Sequence, residues 1–144
     1  MSAEVILPRF MEARAQHPSL PGIREQQLAF MHSFMLLTAL AFESAIKGLA
    51  VAQGIDWRTL REDGGHGLSH YVARVTSVSN DELDLLARLQ EYLKWAGRYV
   101  VPMNASRYED GASRRKWKST DRQLMPAFFN RLKSELRRDA ERNA

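Results

Sequence analysis

Apolar residues recur at helical spacing along most of this chain, and nowhere do they alternate as a half-buried strand would. The longest such stretch runs from about Ile23 to Gln53. Leu28, Met31, Met35, Phe42, Ile46 and Leu49 follow one helical row, and Phe30, Phe34, Leu37 and Ala41 make an adjacent one. A helix apolar nearly all round its middle belongs inside a bundle rather than on its surface. Its polar exceptions are His32, Ser33, Thr38, Glu43, Ser44 and Lys47, and Gly54 closes it.

The same reading divides the rest of the chain. A short helix is expected over Pro8 to Ala15, ending in the loop composition of His17 to Gly22. Ile55 to Gly65 reads as a connection containing Trp57. His66 to Val78 is expected to be helical, with Leu68, Val72, Val75 and Tyr71 turned inward. Ser79 followed by Glu82 forms a capping box that opens the next helix. There Leu86, Leu89, Leu93 and Ala96 make one stripe, with Leu85, Tyr92 and Tyr99 beside it, until Pro102 stops the helix. Asn104 to Ser119 is polar, basic and aperiodic, hence a loop. A last helix starts at Thr120 or Met125 and runs to Arg142, striped by Met125, Phe128, Phe129, Leu132 and Leu136, with Pro126 either opening or kinking it. The fold expected is all-α: a bundle of four main antiparallel helices plus a short N-terminal one, forming a single domain over 1–144. Leu86, Leu89 and Leu93 should face Leu37, Phe42 or Ile46 across its core.

Composition narrows the chemistry. At 144 residues, 44% apolar and 26% charged, the chain suits one folded domain. It has no cysteine, which removes disulfides, thiol catalysis and thiolate metal sites. Met1-Ser2-Ala3-Glu4 lacks the basic, then apolar, opening of a signal peptide, and the most apolar run, Phe34 to Phe42, is short beside the roughly 20 residues of a spanning helix. A cytoplasmic protein without a membrane segment is expected. Charge is uneven: residues 1–104 carry 10 Lys/Arg against 11 Asp/Glu, residues 105–144 carry 11 against 6. The positive excess therefore lies wholly in the last forty residues, where it could draw phosphate-rich partners or simply form a solvated face.

Three segments carry a family likeness. They are Ala41-Phe42-Glu43-Ser44-Ala45-Ile46-Lys47-Gly48-Leu49, then Gly65-His66-Gly67-Leu68-Ser69-His70-Tyr71, then Trp95-Ala96-Gly97-Arg98-Tyr99-Val100-Val101-Pro102. In order and spacing these resemble the HEPN superfamily, the helical "higher eukaryotes and prokaryotes nucleotide-binding" domains. The first resembles its glutamate-containing helix, the second its Gly-His-Asp-Leu signature, the third its Arg-Tyr-Pro ending. The likeness implies an HEPN-like core over about 24–104, followed by the basic loop over 105–119 and the C-terminal helix over 120–142. It further implies homodimerisation and a role in nucleotide or RNA transactions of toxin–antitoxin or phage-defence systems, beside a nucleotidyltransferase partner. The family's nucleases use an Arg followed a few residues later by a His. Here that pattern occurs as Arg61 to His66, inside a Gly-rich connection, and no His follows Arg98. Gly67 stands where the family has an acidic residue, and Val100 where it has a Pro. The leading expectation is therefore a non-catalytic module binding nucleotide, RNA or a protein partner. The alternatives are a metal-independent ribonuclease drawing on Arg61, His66 and Arg98, and a purely structural interaction bundle.

Each candidate site has a plainer counterpart. Glu43 and Lys47 could present charge to a ligand, or form an intrahelical ion pair. His66 could meet phosphate at a helix N-terminus, or only fix the helix entry. His66 and His70 have a zinc-compatible spacing, but no further ligands accompany them, so no metal or cofactor is expected. Arg98 and Tyr99 could hold an anion and a ring, or Tyr99 could pack inside while Arg98 pairs with a carboxylate such as Glu43. Arg107, Arg114, Arg115, Lys116, Trp117 and Lys118 interleave cations with an aromatic, as a nucleic-acid strand would require. The plainer reading docks Trp117 on the bundle.

Overall fold

The computed structural model describes residues 23–56, 58, 67–96 and 116–143, with the backbone alone for 23–29, 95 and 96. Four α-helices appear in it: α1 (Ile23–Ala52), α2 (Leu68–Val75), α3 (Asn80–Glu91) and α4 (Asp121–Arg142), with a π-helical turn, Tyr92–Ala96, continuing α3. Among the described residues there is no strand. The helix expected over Pro8 to Ala15 lies outside the described residues.

The two apolar rows of α1 make it the centre of the molecule. It packs against α4, α2, α3 and the π turn, and α3 in turn packs on α2 and α4. Met35, Phe42, Ile46 and Leu49 are buried, as are Leu86, Leu89 and Leu93 from α3 and its extension, with Leu37 half-buried against them. Phe128 and Phe129 of α4 both lie against Phe42, ring centroids 5.2 and 5.3 Å away. The all-round apolar character of α1 is not fully covered, since Leu40 and Val51 are 44% and 59% exposed. Phe30–Ala52 is also long and apolar enough, by length and composition, to cross a membrane, and half of that window is buried inside the fold. The nine-residue run from Phe34 to Phe42 understates that length, because Glu43, Ser44 and Lys47 interrupt the run without lowering the wider average enough.

Helix ends follow local chemistry. Gly54, at φ +73°, takes the left-handed conformation that closes α1. The capping box forms as expected: the Ser79 hydroxyl accepts from the Glu82 backbone N–H, and the Glu82 carboxylate accepts from the Ser79 N–H at 2.8 Å. Val78 and Leu83, at the positions of a hydrophobic staple around that cap, are both half-buried against the core.

Two expectations need correction, and one alternative is decided. The helix assigned to His66–Val78 is described as Leu68–Val75: Gly67 is its N-cap, and the backbone turns extended at Thr76 (φ −154°, ψ 161°), so the chain can reach the Ser79 cap. The helix after Ser79 does not run on as plain α but widens into the π turn at Tyr92–Ala96. The last helix takes the earlier of its two expected starts, with Thr120 as N-cap and Asp121 as first residue, so Pro126 lies inside it rather than opening it.

Candidate functional site

The described part of the basic region is held by a buried arginine. Arg88 sits beside the Leu85–Leu89 stripe of α3, and its guanidinium reaches across to the start of α4. Nη1 donates to Asp121 Oδ2 at 2.5 Å and Nη2 to Asp121 Oδ1 at 2.7 Å. Nη1 also donates to the Lys116 carbonyl at 2.9 Å, and Nε to Asp84 Oδ2 at 2.9 Å. The Asp121 side chain is completely buried and accepts in addition from the Lys118 backbone N–H. Burial works against the charge on Arg88, but Asp121 and then Asp84 outweigh it and make the guanidinium harder to deprotonate than usual.

This clasp decides how residues 116–118 present themselves. The Lys118 ammonium bonds Asp84 Oδ2 at 2.8 Å, and that bond, with Arg88 behind it, holds the Asp84 carboxyl below its usual range against partial desolvation. Trp117 is half-buried against the core, edge-on to Phe34 with ring centroids 5.8 Å apart. Lys116 is left exposed.

Along α4, acids and bases are sorted. Asp121 is inside with Arg88. Asp139 is buried, accepting from Gln53 Nε2 at 3.0 Å and lying beside Arg138 and Arg142. The Gln53 bond and then the two arginines hold its carboxyl low, against the effect of burial. Glu135 accepts from Arg131, whose guanidinium also bonds Glu82 Oε1 at 2.9 Å and the Ser77 carbonyl. Burial opposes ionisation of Glu82, yet the Ser79 N–H and Arg131 together keep it below the usual glutamate range. Arg131, Arg138 and Arg142 are thus the paired edge of the helix. Arg122, Lys133 and Arg137 are exposed on the other edge, and none of them has an ion pair among the described residues. Lys133 lies over the half-buried Phe129 ring, 5.8 Å from its centroid. At 3.6 residues per turn these three cations fall within about 60° of one another, with rises of about 16 Å and 6 Å between them.

Of the residues singled out from sequence, Glu43 and Lys47 form an intrahelical ion pair at 2.8 Å on α1. His70 is exposed on α2, its ring near that of Tyr71. Arg61, His66, Arg98, Tyr99, Arg107, Arg114 and Arg115 lie outside the described residues. Among the described residues no group of three His, Asp or Glu is placed to hold a metal ion. The sequence reading missed Arg88, whose spacing of four from Asp84 was its only signal, and the Arg122–Lys133–Arg137 edge, announced only by the net charge of the last forty residues. No protein-family model, no curated protein and no solved structure matches this chain.

Proposed function

We propose that this chain is a non-catalytic, HEPN-like helical module that binds RNA through the basic edge of α4, in a toxin–antitoxin or defence setting. One observation carries the reading: α4 turns Asp121, Glu135 and Asp139 into ion pairs and leaves Arg122, Lys133 and Arg137 outward without acid partners. Unpaired cations in a row attract polyanions, and phosphate neutralisation supplies most of the affinity in such complexes. The likeness of Ala41–Leu49, Gly65–Tyr71 and Trp95–Pro102 to the HEPN motifs supplies the class.

Fluorescence anisotropy of labelled RNA against protein, repeated across a salt series, tests it. Binding should weaken steadily with salt while the RNA stays intact on a denaturing gel with metal chelated. Cleavage under those conditions would replace the non-catalytic reading with a ribonuclease, and affinity indifferent to salt would remove RNA as the ligand. The reading includes a homodimer, supported by the exposure of Leu40 and Val51 on α1. Light scattering should give twice the chain mass, and a monomer mass at high concentration would remove the dimer.

A further inference from the structure

The sorted charge of α4 says what kind of nucleic acid fits. We infer that the Arg122–Lys133–Arg137 edge takes the phosphate backbone of a double helix and reads no bases, an inference that rests on the RNA-binding reading above. Single-strand recognition depends on aromatic platforms on which bases stack, whereas duplexes are held through their backbones. Among the described residues whose side chains are defined, no Phe, Tyr or Trp ring is exposed, and the one exposed imidazole, His70, is on α2 rather than α4. Trp117, the ring nearest the basic segment in sequence, is set edge-on to Phe34, and Lys133 lies over Phe129. What remains exposed on this edge is the cationic tips of Arg122, Lys133 and Arg137, set among Pro126 and Asn130, with the acid Glu141 a turn beyond Arg137.

The edge is also rigid. Arg88 fastens the first turn of α4 to α3, Arg131 fastens its middle to Glu82 and the Ser77 carbonyl, and Gln53 fastens its last turns through Asp139. The backbone positions of Arg122 and Arg137 are therefore held about 22 Å apart along the helix, so that only their side chains remain to be ordered on binding. An anionic membrane is the poorer fit. An interfacial helix must offer an apolar face beside its cations, and that face of α4, Met125, Phe128 and Leu132, is buried in the core.

The test compares two double variants of equal charge loss, Arg122→Gln/Arg137→Gln on the unpaired edge and Arg138→Gln/Arg142→Gln on the paired edge. Each is titrated with RNA and DNA duplexes of unrelated sequence, with single-stranded homopolymers and with phosphatidylserine vesicles. Three backbone contacts on a duplex imply that affinity falls about 40-fold between 50 and 200 mM salt. The unpaired-edge variant should fall only about 3- to 4-fold over that range, while the paired-edge variant keeps the original slope. Duplexes of different sequence should bind within about twofold of one another, as backbone contacts carry no sequence information. Equal flattening by both variants would overturn the site. Single strands bound more tightly than duplexes, with a base preference, would overturn the inference and leave RNA binding standing. Vesicle binding lost in step with the unpaired edge would assign that edge to a membrane, and absence of binding to every nucleic acid at low salt would remove the functional reading itself.

Discussion

Arg88 and Asp121 are the residues on which the start of α4 depends. Both are buried and bidentately paired, so removing one strands the other's charge away from water. Arg88→Met should cost about 3–5 kcal/mol in urea unfolding, and Arg88→Met/Asp121→Leu should cost less than the two single changes summed. Additive losses would mean that the pair does not act as a unit. At the helix cap, Ser79→Ala should cost about 0.5–2 kcal/mol. Glu82, Asp84 and Asp139 all have carboxyls held low in the fold. As pH falls, the unfolded chain takes up protons first, so their stabilisation is complete above the ordinary carboxylate range and is lost on acidification through it. The melting temperature should therefore drop below about pH 5, and Glu82→Gln should lessen that drop. A melting temperature flat down to pH 3 would show that these pairs contribute nothing.

At the scale of elements, two helix interiors carry residues that weaken them. Pro126 is exposed one and a half turns into α4, where it has no N–H for the carbonyl four residues before it. Pro126→Ala should stabilise the protein, by up to about 3 kcal/mol. Gly48 lies inside α1, and a Cβ there would meet Leu136 Cδ2 at 3.4 Å, which is close contact without a clash. Gly48→Ala should then add roughly 0.5–1 kcal/mol, and a loss in thermal melts would mean that the α1–α4 contact needs the missing atom. These interiors also separate what was legible in the sequence from what was not. The Ser79–Glu82 box and the Gly54 closure are local devices, written within a few residues, and both are found where expected. The π turn at Tyr92–Ala96 has no Gly or Pro to mark it, and the row Leu86, Leu89, Leu93 reads through it unbroken. The early end of α2 at Val75 was hidden because Val78 is apolar at helical spacing, although it serves the cap of the next helix.

At the scale of the molecule, the core was legible and the charged surface was not. Burial of Phe42, Ile46, Leu86, Leu89, Phe128 and Leu132 follows from period alone, since each stripe has only one way to face inward. Which cations remain available depends on partners remote in sequence: Lys118 is taken by Asp84, Arg131 by Glu82. A count of charges per segment could therefore place the basic surface in the C-terminal forty residues but not on one edge of α4. The same distance explains Trp117, whose partner Phe34 is on α1.

The junction of α1 and α4 has a consequence for how the chain is made. Asn143 Nδ2 donates to the Ala52 carbonyl, Gln53 Nε2 donates to Asp139, and Phe42 is covered by Phe128 and Phe129. During synthesis α1 leaves the ribosome about 90 residues ahead of the helix that covers it, a delay of roughly 5–18 s at ordinary elongation rates. For that interval a nascent chain displays the longest apolar helix of the protein with one side open. Ribosome-bound chains stopped before residue 121 should accordingly recruit chaperones that bind apolar segments, and chains extended past residue 143 and clear of the exit tunnel should release them. Equally low chaperone occupancy at both lengths would mean that α1 is covered before α4 arrives, and equally high occupancy that α4 does not cover it.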